Sequence, residues 1–290
     1  MNKNAKGLLL VLAAAVVWSA NSVLIKSLDL SAPLIAGMRA AFAGVFYAAF
    51  IRPKKLVWNW KLLATLCVFT IQSACIVIAV KKTSAAIAIG MQFTAPIWIY
   101  AFSRIKGYPF YFRRALPLYI LAAGVIVSMF SRAESVTREG NLLALSTGLW
   151  FALLTLLNKD VGKENPIGLV SLENLFMAAV VLPLLCLKDI PGLVSLGATS
   201  WIVLAVLGIG QFGLGYVLYT IGLRHTTSAR ASMVSPLEMV LSPLWVALFI
   251  GELPDLAGLI GFGLIAAGIA LEIVFTHKLT KAAKSAAPQA

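Results

Sequence analysis

Long apolar runs, interrupted by short polar or Pro/Gly-rich breaks, dominate the chain. Cut at those breaks, the sequence falls into ten apolar segments, at about 7–27, 32–51, 62–80, 84–103, 115–131, 140–158, 166–187, 199–222, 228–250 and 255–276, numbered 1 to 10 below. A helix of about 20 residues, rising roughly 1.5 Å each, crosses the hydrocarbon core of a bilayer, so each segment is read as a transmembrane helix. No period-2 alternation runs through them, which argues against a transmembrane β-barrel. The expected fold class is an all-α integral membrane protein of ten transmembrane helices.

An internal repeat organises these helices. Thr83-Ser84-Ala85 followed by Leu121-Ala122-Ala123-Gly124-Val125 recurs as Thr227-Ser228-Ala229 followed by Ile265-Ala266-Ala267-Gly268-Ile269, at one offset of 144. The stretch VWSANSVLIK around Trp18 likewise resembles LWFALLTLLNK around Trp150. Each half then holds five helices, at 1–131 and 132–276, followed by a basic tail at 277–290. An odd number of crossings inserts the second half upside down relative to the first, an inverted repeat of the kind on which secondary transporters are built.

Composition agrees with the hydropathy pattern. Of 290 residues 60% are hydrophobic and only 12% charged, with a mean hydropathy of +0.92, against about 25% charged in an ordinary soluble domain. The net charge of +13 would suit nucleic acid, but its distribution follows topology. With a cytoplasmic N-terminus, seventeen Lys and Arg fall on the inner side and six on the outer, Arg39 being the last of the 24. That bias expects both termini in the cytoplasm, a location in the inner (plasma) membrane, and anionic headgroups rather than nucleic acid as basic-loop partners. Segment 1 has some features of a secretory signal, yet it carries part of the repeat and is expected to remain. Cys67, Cys75 and Cys186 lack metal-ligand spacing, so no metal and no cofactor are expected.

The stretch TTSARASMVSPLEMVLSPLWVALFIGE in the second half, with VWSANS, LIAGMRAAF and KKTSAAIAIGMQFTAPIW in the first, resembles the drug/metabolite transporter superfamily, in particular its EamA-type ten-helix permeases. Two positions depart from that pattern. Met239 follows the Leu-Glu pair where the family commonly has proline, and Tyr108-Pro109 stands where the second half has Gly251-Glu252. The resemblance implies two four-helix walls, segments 1–4 and 6–9, around a central cavity, with segments 5 and 10 outside. It also implies alternating access for small metabolites, often coupled to protons, in a monomer or homodimer.

Polar residues inside the apolar segments are the candidate machinery. Ser235, Glu238, Ser242 and Trp245 share one helical face on segment 9; Gln92, Pro96 and Tyr100 share one on segment 4; Gln211, Gly215 and Tyr219 share one on segment 8. Trp18, Asn21, Gln72, Trp150 and Asn174 complete the candidate solute contacts. Each stripe reads either as a cavity wall or as helix-to-helix hydrogen bonding. Arg39, about 12 Å into segment 2, and Glu238, about 15 Å into segment 9, reach matching depths. They form either a permanent ion pair or a solute- and proton-handling couple, with Glu173 the second membrane carboxylate.

Other signals carry less. Gly208-Ile-Gly210-Gln-Phe-Gly213 matches G-x-G-x-x-G but lies within an apolar span, where close helix packing explains it. Pro96, Pro183, Pro236 and Pro243 mark bends. His225 and His277 flank helix ends. H-E-x-x-H, G-x-S-x-G and Walker-type motifs are missing from the chain, which favours a solute carrier over an intramembrane enzyme. The expected activity is export of small amino-acid-like, zwitterionic or amphipathic solutes; import or facilitation of nucleobase-like compounds is the alternative.

Overall fold

The computed structural model describes residues 3–50, 58–105, 112–131, 136–161, 165–225 and 237–285, all of them helix, turn or short connection, with no strand among them. Four helical runs are long and apolar enough to cross a membrane: Lys6–Lys26, Trp60–Lys82, Ile167–Leu185 and Ala198–Tyr219. Shorter apolar helices occupy segments 2, 4, 5, 9 and 10, at Ala32–Phe46, Ala85–Ile99, Leu116–Ser128, Leu237–Ile250 and Leu256–Leu271. Segment 6 is the 24-residue helix Arg138–Val161. The final helix, Leu256–Ser285, continues past the expected start of the tail.

Local chemistry sets several helix starts. Ser31 caps segment 2 by accepting from Leu34 N–H at 3.4 Å, ahead of Pro33 in the first turn. Asn59 accepts from the N–H groups of Lys61 and Leu62 at 3.0 and 3.2 Å. Ser84 of the repeated Thr-Ser-Ala motif accepts from Ile87 N–H at 3.3 Å, so the motif's role in the first half is to end one helix and start the next. Its second copy, at 227–229, lies outside the described residues.

The helices pair across the two halves. Segment 3 packs on 6 and segment 8 on 1; segment 4 on 6 and 9 on 1; segment 2 on 8 and 3 on 7; and segments 2 with 7 and 5 with 10 face each other directly. Exchanging each segment of one half for its counterpart in the other maps this set of pairings onto itself.

The 5–10 contact shows the same reciprocity at residue level. A Cβ on Gly124 would lie 2.7 Å from Ile265 N, and one on Gly268 would lie 2.9 Å from Leu121 N. Residues 124 and 268, like 121 and 265, are the repeated positions, so each glycine lets its own helix approach the other copy of the same motif. The two helices run antiparallel there. So do segments 2 and 7, where Gly37 meets Leu182 while Gly44 meets Leu175.

Candidate functional site

Three of the expected helices are interrupted near their middles. In segment 1, helix Lys3–Ser19 gives way at Ala20 to the short helix Asn21–Lys26, with Ala20 N–H reaching Val17 O at 3.4 Å, one residue short of α register. In segment 4, Ala85–Gln92 stops at Phe93-Thr94 before Ala95–Ile105 begins. In segment 8, a π-helical stretch, Val206–Leu214, separates Ala198–Ala205 from Gly215–His225. Interrupted backbone at membrane depth is tolerated where it is buried in protein or lines a cavity. Here Gln211 Nε2 donates to Trp18 O at 3.2 Å, so the π-stretch satisfies a carbonyl beside the break in segment 1.

Arg39 is the centre of a buried polar chain. Its guanidinium donates from Nη1 to Asn21 Oδ1 at 3.1 Å and from Nη2 to Ser73 O at 3.0 Å, and lies 4.4 Å from the Phe212 ring centroid. Ser73 Oγ donates to Gln72 Oε1, and Gln72 Nε2 to Gln92 Oε1, each at 3.2 Å. The chain thus runs Gln92, Gln72, Ser73, Arg39, Asn21, through segments 4, 3, 2 and 1. Cation–π attraction and two charge-assisted bonds offset part of the desolvation of a side chain only 1% exposed. Among the described residues Arg39 makes no ion pair with Glu238, one of the two arrangements their matching depths allow.

Both membrane carboxylates are enclosed. Glu173 and Glu238 are 1% and 8% exposed. Glu173 Oε1 has no hydrogen-bond partner among the described residues, and neither has Asn174 Oδ1, whose amide nitrogen donates back to Val170 O at 2.8 Å. Trp18 Nε1, Arg39 Nε and Gln211 Oε1 are likewise buried and unpartnered among the described residues. An orphaned buried polar group costs about 1–3 kcal/mol, and Trp98 Nε1 and Ser128 Oγ complete this set among the described residues.

Tyr216 links these groups and was not among the sequence candidates. It lies within electrostatic reach of Glu173, Arg39, Glu238 and Tyr219, and its ring packs on Trp18 at 5.1 Å, Phe212 at 5.4 Å and Phe69 at 6.4 Å. Trp18 also packs on Tyr219, at 5.2 Å. The result is an aromatic cluster with the Arg39 guanidinium against its Phe212 member. Phe69, Phe212 and Ser73 escaped the sequence reading as well, two as ordinary apolar residues and one because its backbone oxygen, not its side chain, meets Arg39.

The other candidates divide. Ser242 Oγ donates to Ser22 Oγ at 2.9 Å and Trp245 Nε1 to Ser19 Oγ at 2.8 Å, so these two tie segment 9 to segment 1. Trp150 is partly buried on segment 6. Ser235 lies outside the described residues, as does the side chain of Tyr100. Gly208 and Gly213 sit against Arg39 O and the Tyr47 ring, which is close helix packing in the glycine motif. A hollow of about 310 Å³ lined by Met38, Ala41, Phe42, Val45, Phe46 and Ile209 offers no polar side chain to a solute.

The sequence model of the EamA-like transporter family matches residues 5–130 and again residues 138–274. The chain belongs to this family. Two relatives are described as uncharacterized transporters: YxxF of Bacillus subtilis strain 168 is 24% identical over 229 residues, covering 76% of this chain and 67% of that one. An uncharacterized transporter of Archaeoglobus fulgidus is 23% identical over 192 residues, covering 66% and 68%. A solved crystal structure shares the fold at a TM-score of 0.65 and 19% identity, over 94% of this chain and 98% of that one. The protein is a membrane transporter of EamA type.

Proposed function

We propose that this EamA-type protein is a secondary transporter that exports small zwitterionic or amphipathic solutes by alternating access between two inverted five-helix halves, ten crossings in all, with both termini cytoplasmic in the inner membrane. The observation that carries the reading is the group of buried polar atoms without partners around Trp18, Arg39, Glu173, Asn174 and Gln211, set against the rings of Tyr216 and Phe212. A zwitterion with an apolar body matches it: acceptor oxygens for Trp18 Nε1 and Arg39 Nε, donors for Glu173 and Gln211, a flat face for the rings. The reciprocal pairing of the halves supports the inverted repeat, and the seventeen-to-six charge bias supports the orientation.

Export is supported by polar ties at the end away from the N-terminus, where Lys82 bonds Glu139 at 2.7 Å and Thr83 bonds Asn141 at 2.6 Å. On the proposed topology these ties lie on the outer side, which suits loading from the cytoplasm. Glu238 is assigned the coupling proton, with Glu173 the second protonatable group.

A thermal-shift screen of purified protein against free amino acids and other zwitterions tests the solute class. A ligand at 100 times its Kd stabilises by about 2.7 kcal/mol, and Trp18→Ala should abolish the shift of any hit. Shifts from purely apolar compounds alone, or hits indifferent to Trp18→Ala, would contradict the assignment.

A further inference from the structure

Glu252 follows Gly251, whose φ of +78° turns the chain at the end of segment 9. Its carboxylate makes two bonds to the first half, an ion pair with Lys26 Nζ and a hydrogen bond from Ala85 N–H at 3.1 Å. Lys26 Nζ donates also to Thr83 O at 3.2 Å. The two charged side chains are only 10% and 15% exposed, so salt screens them less than a surface pair.

The partners are the outer tips of two interrupted helices. Lys26 ends Asn21–Lys26, the piece of segment 1 beyond the break at Ala20, and Ala85 begins Ala85–Gln92, the piece of segment 4 beyond which the chain breaks at Phe93-Thr94. At their inner ends the same two pieces hold the polar chain, through Asn21 to Arg39 and Gln92 to Gln72. One carboxylate therefore ties together the outer ends of two short helical pieces whose other ends join the buried polar chain. In the first half neither Tyr108, 144 residues before Glu252, nor Pro109 beside it carries a carboxylate.

We propose that Glu252 and Lys26 are the outer gate pair of this transporter, a latch that holds the tips of segments 1 and 4 shut and whose release lets both pieces swing about Ala20 and Phe93-Thr94. The latch ties the outer ends of these pieces, so it biases the protein toward the outward-closed state. This rests on the alternating-access reading above.

Thiol labelling of detergent-purified protein tests it without any solute, so a failure of the gate and a failure of the solute site are distinguishable. The protein carries Cys67→Ser, Cys75→Ser and Ala88→Cys, the last at a fully buried position on the Ala85–Gln92 piece, and keeps Cys186, buried at the end of segment 7, as an internal control. Maleimide modification is followed by peptide mass spectrometry. Glu252→Gln and Lys26→Met should each speed labelling at position 88 by about tenfold, the equivalent of ~1.4 kcal/mol. The double substitution should accelerate labelling by less than the product of the two single effects, since both changes break the shared Lys26–Glu252 pair, and Cys186 should be unaffected. No acceleration at position 88, equal acceleration at both sites, or multiplying single effects would overturn the gate. Should Glu252→Gln not yield folded protein, Glu252→Asp, which keeps the charge but withdraws it by one methylene, should give a smaller increase, and none would count against the proposal.

Discussion

Arg39 is a cation held inside the protein by Asn21, a backbone carbonyl and an aromatic face rather than by an acid. Because its surroundings are fixed by close backbone approach, Gly208 is the sensitive neighbour. A Cβ there would lie 2.5 Å from Arg39 O and 2.7 Å from Phe42 Cβ, and Gly208→Ala should destabilise by about 1–3 kcal/mol. Gly210→Ala, whose nearest neighbour would be 3.9 Å away, should leave the unfolding temperature nearly unchanged. Thermal unfolding in detergent compares the two, and equal effects would contradict the packing described. Trp245 gives a second test at this scale. Its indole N–H bonds Ser19 across helices, so Trp245→Phe should lower stability by roughly 0.6 kcal/mol, the average for such bonds, while solute affinity in the thermal-shift assay stays put. A loss of affinity without a loss of stability would move Trp245 into the solute site.

At the scale of elements, the pairing of segments 5 and 10 makes Gly124 and Gly268 equivalent. Gly124→Leu and Gly268→Leu should therefore cost similar stability, well above that of Gly263→Leu on the helix of Gly268, where a Cβ meets nothing within 4 Å. Unequal costs for the repeated pair would break the reciprocity. The motif that revealed this pairing was legible in the sequence because both copies keep small residues at one offset. The break in segment 1 was not legible, since Ala20 is neither proline nor glycine and the apolar run continues through it, whereas Pro96, in the first turn of the helix after Phe93-Thr94, marks a bend in segment 4. Tyr216 was hidden for a geometric reason. A stripe drawn at α-helical spacing through Gln211, Gly215 and Tyr219 passes it by, whereas a π-turn, with its i to i+5 bonds, brings residues five apart to one side. Arg39 and the two acids were found because charge within an apolar run has no inconspicuous reading; which partner each would take was not, because that depends on helix rotation.

For the whole molecule, the account is that of two reciprocal halves meeting at a polar and aromatic centre, closed by polar ties at the end away from the N-terminus. Protonatable acids in that centre give a way to couple solute movement to a proton, provided the acid exchanges its proton as the halves rock. Solute flux into and out of proteoliposomes, driven by an imposed pH gradient and measured for wild type, Glu238→Gln and Glu173→Gln with a solute that gave a thermal shift, tests this most directly. The account predicts that Glu238→Gln folds, still exchanges solute at equal pH on both sides, and no longer responds to the gradient, with Glu173→Gln retaining a response. Gradient-driven flux that persists in a well-folded Glu238→Gln protein would contradict it.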